Sequence, residues 1–349
     1  MTDITKIDPN FVVKTNIQRE GLRFYSIEQA PFSIHGIFWE NGCYRRLPEA
    51  IGTNVNEGVT GLHRHTAGGR VRFVTDSPYI AISAELVDFE PMSHMALSGK
   101  AGFDLYTKKQ YLGTYIPSTT VTDHVEGVVD LPEPGEREYS INFPLYNPVI
   151  SLHIGIQEGS TLKAAPAYTI PVPVVYYGSS ITQGGCASRP GNAYQSIITR
   201  ELDCDHINLG FSGSAKAEDI IADYIAGLNM SVFVYDYDHN APTLEHLKNT
   251  HERMFKKIRA AQPELPILML SRPRYYLKND DKERLEVIRQ TYENALAAGD
   301  KNVYFIPGPE LLIELLRESA LVDNTHPTDC GFASMAYVIG NKLKEILKL

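Results

Sequence analysis

The chain has few cysteines and no CxxC pair. Four thiols, at 43, 186, 204 and 330, are spread over 349 residues. That spacing excludes a disulfide framework and argues against a structural zinc site. No apolar run approaches the roughly 20 residues of a membrane span. The opening MTDITKIDPNFVVKTNIQREG lacks the apolar core of a secretory signal. These two absences lead us to expect a cytoplasmic location, reduced thiols and no membrane partner. Basic residues are the minority, 33 against 42 acidic ones, for a net charge of −9. Phosphate backbones are bound by basic surfaces, so no nucleic-acid partner is expected. There is one tryptophan, Trp39, beside 20 tyrosines and 13 phenylalanines. No internal repeat is present, and helical periodicity is scarce before residue 160.

What is present is ordinary globular composition, 43% hydrophobic and 21% charged, at a length that suits two domains. Residues 1–160 read as β. Short β-branched and aromatic runs such as Val71–Val74, Tyr79–Ala84, Tyr139–Phe143 and Ile150–Ile154 alternate with Gly/Pro/Asn turns. A sandwich or jelly roll is expected. Residues 161–171, small, polar and Pro-bearing, are expected to be a linker. From 172 to 349 strands and helices alternate. Strands are expected at 172–177, 206–210, 231–237, 266–270 and 302–306. Helices are expected at 193–202, 217–228, 243–261, 282–298 and 331–347. That order gives an α/β domain with a parallel sheet and helices on both faces. Ligands of such sheets bind beyond the carboxyl ends of the strands.

Four groups stand at those ends. Gly178-Ser179-Ser180-Ile181-Thr182 follows the first strand, where a small turn can lift a hydroxyl to the rim. It is neither a G-x-S-x-G elbow nor a phosphate loop. Asn208 to Gly213 follows the second strand, with glycines that permit close backbone approach. Asp236-Tyr237-Asp238-His239-Asn240 follows the third. Asn240 can donate its amide to an oxyanion, and Asp236, Asp238 and His239 suit metal ligation or loop capping alike. Asp323-Asn324-Thr325-His326 precedes the last helix, a spacing at which the carboxylate can hold one imidazole nitrogen while the other serves as base.

Taken together these blocks resemble the SGNH (GDSL-type) hydrolase superfamily. Gly102-Phe103-Asp104-Leu105-Tyr106 is similar to the GxDLY motif of the β-domain that precedes one subgroup. The resemblance implies a flavodoxin-like catalytic domain, a Ser180–His326–Asp323 triad, and an oxyanion hole from Ser180, Gly213 and Asn240. It implies no metal and no cofactor. Two departures stand out: Ser179 replaces the usual Asp of GDS, and Asp238-His239-Asn240-Ala241 replaces G-x-N-D.

The expected activity is hydrolysis of short O-acyl esters, foremost acetyl esters on sugars or oligosaccharides. Acyl transfer by the same serine, other small esters, and a non-catalytic carbohydrate-binding protein are the alternatives. His239, Arg272 and Trp39 are candidate substrate-binding residues, as are Tyr44 and Arg45 beside Trp39. Packing or an ion pair is the competing reading for them. His63 and His65 precede an expected strand at alternate positions and could face one side as metal ligands, and Cys186 near the nucleophile turn could be a reactive thiol. Both readings are weaker than ordinary packing. A homo-oligomer is left open.

Overall fold

The structure, a computed structural model, describes residues 13–349. Contacts divide them into two compact units. The first comprises the described residues up to Arg45 with Arg64–Ala167 and Ser188–Gly191. The second comprises Arg46–His63, Tyr168–Ala187 and Asn192–Leu349.

The first unit is antiparallel. Its strands are β1 (Leu22–Ser26), β2 (Ser33–His35), β3 (Phe38–Glu40), β4 (Cys43–Arg45), β5 (Arg70–Thr75) and β6 (Tyr79–Leu86). They continue as β7 (Phe103–Thr107), β8 (Gln110–Tyr115), β9 (His124–Asp130), β10 (Arg137–Asn142), β11 (Val149–Gln157) and β12 (Leu162–Lys163). One sheet runs β1-β11-β6-β9 and the other β12-β5-β10-β7-β8, with β2 also on β5. Their apolar sides meet in one core, Val71, Phe73, Leu105 and Ile141 from the second sheet and Ile80, Ile82, Leu152 and Ile154 from the first. This is the expected β-sandwich. Asp104 of the GxDLY motif is fully buried. It accepts hydrogen bonds from Asn142 Nδ2 at 2.8 Å and the Gly191 N–H at 2.8 Å, and Arg189 lies at 3.2 Å. Arg189 also donates to the Tyr106 hydroxyl. The acid of the motif therefore secures residues 188–191 to this unit.

The second unit carries a five-stranded parallel sheet, β13 (Ile170–Gly178), β14 (Cys204–Gly210), β15 (Val232–Asp236), β16 (Ile267–Leu270) and β17 (Val303–Ile306). The strand order is β14-β13-β15-β16-β17. These strands are buried apolar runs, as a sheet covered on both faces requires. The helices Tyr194–Leu202, Asp219–Ala226, Leu244–Ala261, Asn279–Ala297 and Asp329–Leu347 fall within a few residues of expectation. Thr243 and Thr328 start two of them by accepting N–H bonds from His246 and Gly331. β13 sits between β14 and β15, so the order reverses at its carboxyl end, where such sheets bind ligands.

Two expectations need correction. Residues 161–171 are not a plain linker, because β12 pairs with β5 and β13 already starts at Ile170. Residues 46–63 do not join the β-unit. They form the helices Glu49–Val55 and Glu57–Leu62, and Leu47 and Val59 lie in the core of the α/β unit. Helices this short, carrying Gly52, Gly58 and Gly61, show too little periodicity to be read.

Candidate active site

β13 ends in Gly178, which is hemmed in by Asp236 Oδ1 and Thr182 Oγ1, so any Cβ there would clash. The backbone then turns into the short helix Ser180–Gln183. Ser179 caps it by accepting the Ile181 N–H at 3.2 Å, and Gly184 ends it in the left-handed region at φ 101°. Gly210, the last residue of β14, packs against the backbone of Thr182 and Gln183, again leaving no room for a side chain. Asn208 reaches over from β14 to donate to Thr182 O at 2.7 Å. The turn is thus fixed by backbone approach and side-chain clamps, with Ser180 at the top.

Ser180 Oγ lies 2.9 Å from His326 Nε2, and His326 Nδ1 lies 2.8 Å from Asp323 Oδ2. The other carboxylate oxygen accepts the backbone N–H of His326 at 2.8 Å and of Thr325 at 3.1 Å. Burial pushes the Asp323 carboxyl up, but these hydrogen bonds outweigh it and hold the group down at about 2. Ionised, Asp323 accepts from Nδ1–H, which leaves Nε2 as the nitrogen that can take the serine proton. The dyad loop is closed by Val322 N–H to His326 O at 2.8 Å and Thr328 N–H to Ala320 O at 2.8 Å. Ser180 is buried but for its rim.

Gly213 adopts φ 67°, where a side chain would be strained. Asn240 donates Nδ2 to Phe211 O at 2.9 Å, linking the loops after β14 and β15. An amide carries two hydrogens, so a second donor remains on Asn240. A hydroxyl, an imidazole and a carboxylate in sequence, with an amide side chain and a glycine-bearing loop, can perform nucleophilic acyl chemistry.

Comparison with known families agrees with that chemistry. Residues 172–344 match the GDSL-like lipase/acylhydrolase family, and residues 22–162 match the N-terminus of SGNH hydrolase-type esterases. The chain belongs to the SGNH (GDSL-type) hydrolases. A crystal structure described as a GDSL-like lipase from Bacteroides ovatus ATCC 8483 is 27% identical, with a TM-score of 0.84 over 94% of this chain and 98% of that one. A salicylyl-acyltransferase from a tetracycline biosynthetic pathway is 20% identical, with a TM-score of 0.77 over 95% and 99%. An acetyl xylan esterase from the rumen bacterium Butyrivibrio proteoclasticus is 12% identical, with a TM-score of 0.60 over 94% and 99%. The last two likenesses are of fold. Among curated proteins, none matches the chain.

In this SGNH hydrolase a buried acid from another strand supports the nucleophile turn. Asp236, at the end of β15, accepts from the Thr182 hydroxyl and the Ser179 N–H. Complete burial raises its carboxyl to about 8. Sequence reading left Asp236 and Asp238 between metal ligation and loop capping. The structure gives both to loop support, because Asp238 Oδ2 faces Arg272 Nε at 3.4 Å. Burial also raises the Asp238 carboxyl and drives the His239 imidazole well below its ordinary value. Among the described residues the buried His239 Nε2 has no hydrogen-bond partner.

Arg272 is buried, with Nη1 on Asp281 at 2.8 Å and Nη2 on Asp238 O at 3.1 Å. Each of its guanidinium nitrogens faces a partner in the loop supports, which favours the loop-holding and ion-pair reading over substrate binding. Tyr44 and Arg45 are likewise packed, the first against Glu28 and the second 3.3 Å from Glu40, whereas Trp39 on β3 is half exposed. His63 and His65 fall in different units, and His63 Nδ1 is 3.1 Å from Val59 O. Cys186 is buried and its thiol is pushed up to about 11, so it is a packed thiol.

Sequence reading missed Arg46, whose guanidinium donates to Gly210 O at 2.6 Å, Asn208 O at 3.2 Å and Leu62 O at 2.7 Å. A buried arginine serving carbonyls leaves no local sequence signal. No helix among the described residues is long and apolar enough to cross a membrane.

Proposed function

We propose that this SGNH hydrolase is a serine esterase that removes short O-acyl groups, foremost acetyl, from sugars or oligosaccharides. The observation that carries the proposal is the unbroken relay from Ser180 Oγ through His326 to Asp323, 2.9 and 2.8 Å, at the switch point of the sheet. Ser180 Oγ attacks the ester carbonyl while His326 Nε2 takes the hydroxyl proton. Asp323 keeps the imidazole oriented and stabilises its positive charge. The oxyanion is met by the Ser180 and Gly213 N–H groups and by the Asn240 amide. Collapse expels the sugar alkoxide, which His326 protonates. Water then attacks the acyl-enzyme, with its proton passing to His326, and releases the carboxylic acid and free serine. Side chains, backbone N–H groups and water carry each of these steps.

The sugar assignment is supported by the two-unit fold, shared along nearly the whole chain with the acetyl xylan esterase. The test is acetate release from acetylated xylo- and manno-oligosaccharides, followed by mass spectrometry, with wild type and Ser180→Ala side by side. The proposal expects loss of acetyl units with wild type alone. Cleavage of nitrophenyl acetate with untouched oligosaccharides would retain the esterase and sink the sugar. Acyl appearing on an added alcohol instead of as free acid would favour acyl transfer.

A further inference from the structure

Beyond the triad, one buried carboxylate connects both loops on which the proposed chemistry depends. Asp281 lies in the first turn of the helix Asn279–Ala297, with its side chain 1% exposed. Oδ1 accepts from Arg272 Nη1 at 2.8 Å, and Oδ2 accepts from Arg274 Nη1 at 3.0 Å and the Lys278 N–H at 2.9 Å. Burial alone would neutralise such a group, but these donors hold its carboxyl below the ordinary range, so it stays ionised.

Each arginine extends to a different catalytic loop. Arg272 continues to Asp238, through its own N–H at 3.2 Å and Nη2 to Asp238 O at 3.1 Å. Arg284, on the same helix as Asp281, donates to Asp238 O at 2.8 Å and Ala241 O at 3.0 Å. These bonds pin both ends of the segment that presents Asn240. Arg274 Nη2 donates to Asn324 O at 2.9 Å and reaches Thr325 Oγ1 at 3.4 Å. Those two residues lie between Asp323 and His326, and Asn324 holds a left-handed φ of 62°. Both loops are irregular backbone whose carbonyls need donors, and the arginines supply them.

We infer that Asp281 is a positioning residue, the shared acceptor through which Arg272 and Arg274 hold the Asn240 loop and the Asp323–His326 loop in mutual register. The inference rests on the serine-esterase reading of the same site. Asp281 touches no reacting atom, so its effect reaches the rate through geometry, where a displacement of about 1 Å can cost about 10²-fold.

The experiment measures kcat and KM for nitrophenyl acetate, together with Tm, in Asp281→Asn, Arg274→Met, the double variant, and Ile288→Ala as a control. Ile288 is a core residue of the same helix, away from the clamp. Asp281→Asn is expected to lower kcat by about 10- to 100-fold with KM nearly unchanged. Arg274→Met alone, at a partly exposed site, should stay folded and show the same split. Added to Asp281→Asn, it should change kcat by less than about twofold, because the Asp281–Arg274 link that it removes is already broken there. Ile288→Ala should lower Tm and leave kcat intact. Wild-type kcat in folded Asp281→Asn or Arg274→Met would overturn the inference, and so would losses that multiply in the double variant. If Asp281→Asn does not fold, Arg274→Met decides alone. A wild type that fails to cleave the ester, or a Ser180→Ala variant that cleaves it equally, would instead remove the serine-esterase reading.

Discussion

Asn240 has two amide hydrogens and two tasks. One hydrogen goes to Phe211 O, which ties the loop after β15 to the loop after β14. The other is the donor we assign to the oxyanion. Asn240→Ala is therefore expected to lower kcat by about 10² to 10³ with little change in KM, the size found for loss of one preorganised oxyanion donor. A kcat within a few-fold of wild type would remove Asn240 from the hole. At this scale the grouping of Ser180, His326 and Asp323 was legible, because Asp323-x-x-His326 and the Gly-Ser-Ser turn are local patterns. The supports were not. Asp236 and Arg46 reach a hydroxyl and carbonyls remote in sequence, and Asp281 gathers arginines whose other partners lie far along the chain, so no spacing rule reports these connections. Asp323 shows the same division. Its place beside His326 was readable, but the backbone N–H bonds that lower its carboxyl to about 2 are visible only in three dimensions.

The element that defines the site is the turn between β13 and the helix Ser180–Gln183. Gly178 and Gly210 let backbone pass within contact of Asp236, Thr182 and Gln183. Asp236 then bonds the turn as a buried acid. Unfolded, that carboxyl ionises near 3.8; folded, it keeps its proton up to about 8. Between those values the folded state binds a proton that the unfolded state has lost, so stability falls as pH rises, by up to about 1.4 kcal/mol per pH unit. Asp236→Asn keeps an acceptor for the Thr182 hydroxyl and removes the titration. Urea midpoints at pH 5 and pH 8 should show a smaller decline in the variant than in wild type. Equal declines would mean that Asp236 is already ionised in the fold. The strands β13 to β17 were legible because a doubly covered parallel sheet leaves continuous apolar runs. The helices Glu49–Val55 and Glu57–Leu62 were not, since each spans too few turns to write an apolar stripe.

At the scale of the molecule, sequence boundaries and structural units differ. Residues 46–63 belong with the α/β unit although β-rich sequence surrounds them, and residues 188–191 belong with the β-unit although they follow the nucleophile helix. Composition shifts mark where most of a domain lies but not which segments cross over. Asp104 explains the second exchange, since it gathers Asn142, Arg189 and the Gly191 N–H within the β-unit. The sandwich and the parallel sheet themselves followed from strand spacing and strand–helix alternation.

The central claim is that Ser180 is the nucleophile. Rapid acid quench of the enzyme mixed with nitrophenyl acetate, followed by peptide mapping, tests it most directly. The account predicts a single acetyl group on Ser180 in wild type and none in Ser180→Ala, which should fold normally and not turn over. Acetyl on another residue as a competent intermediate, or near-normal turnover by folded Ser180→Ala, would contradict it.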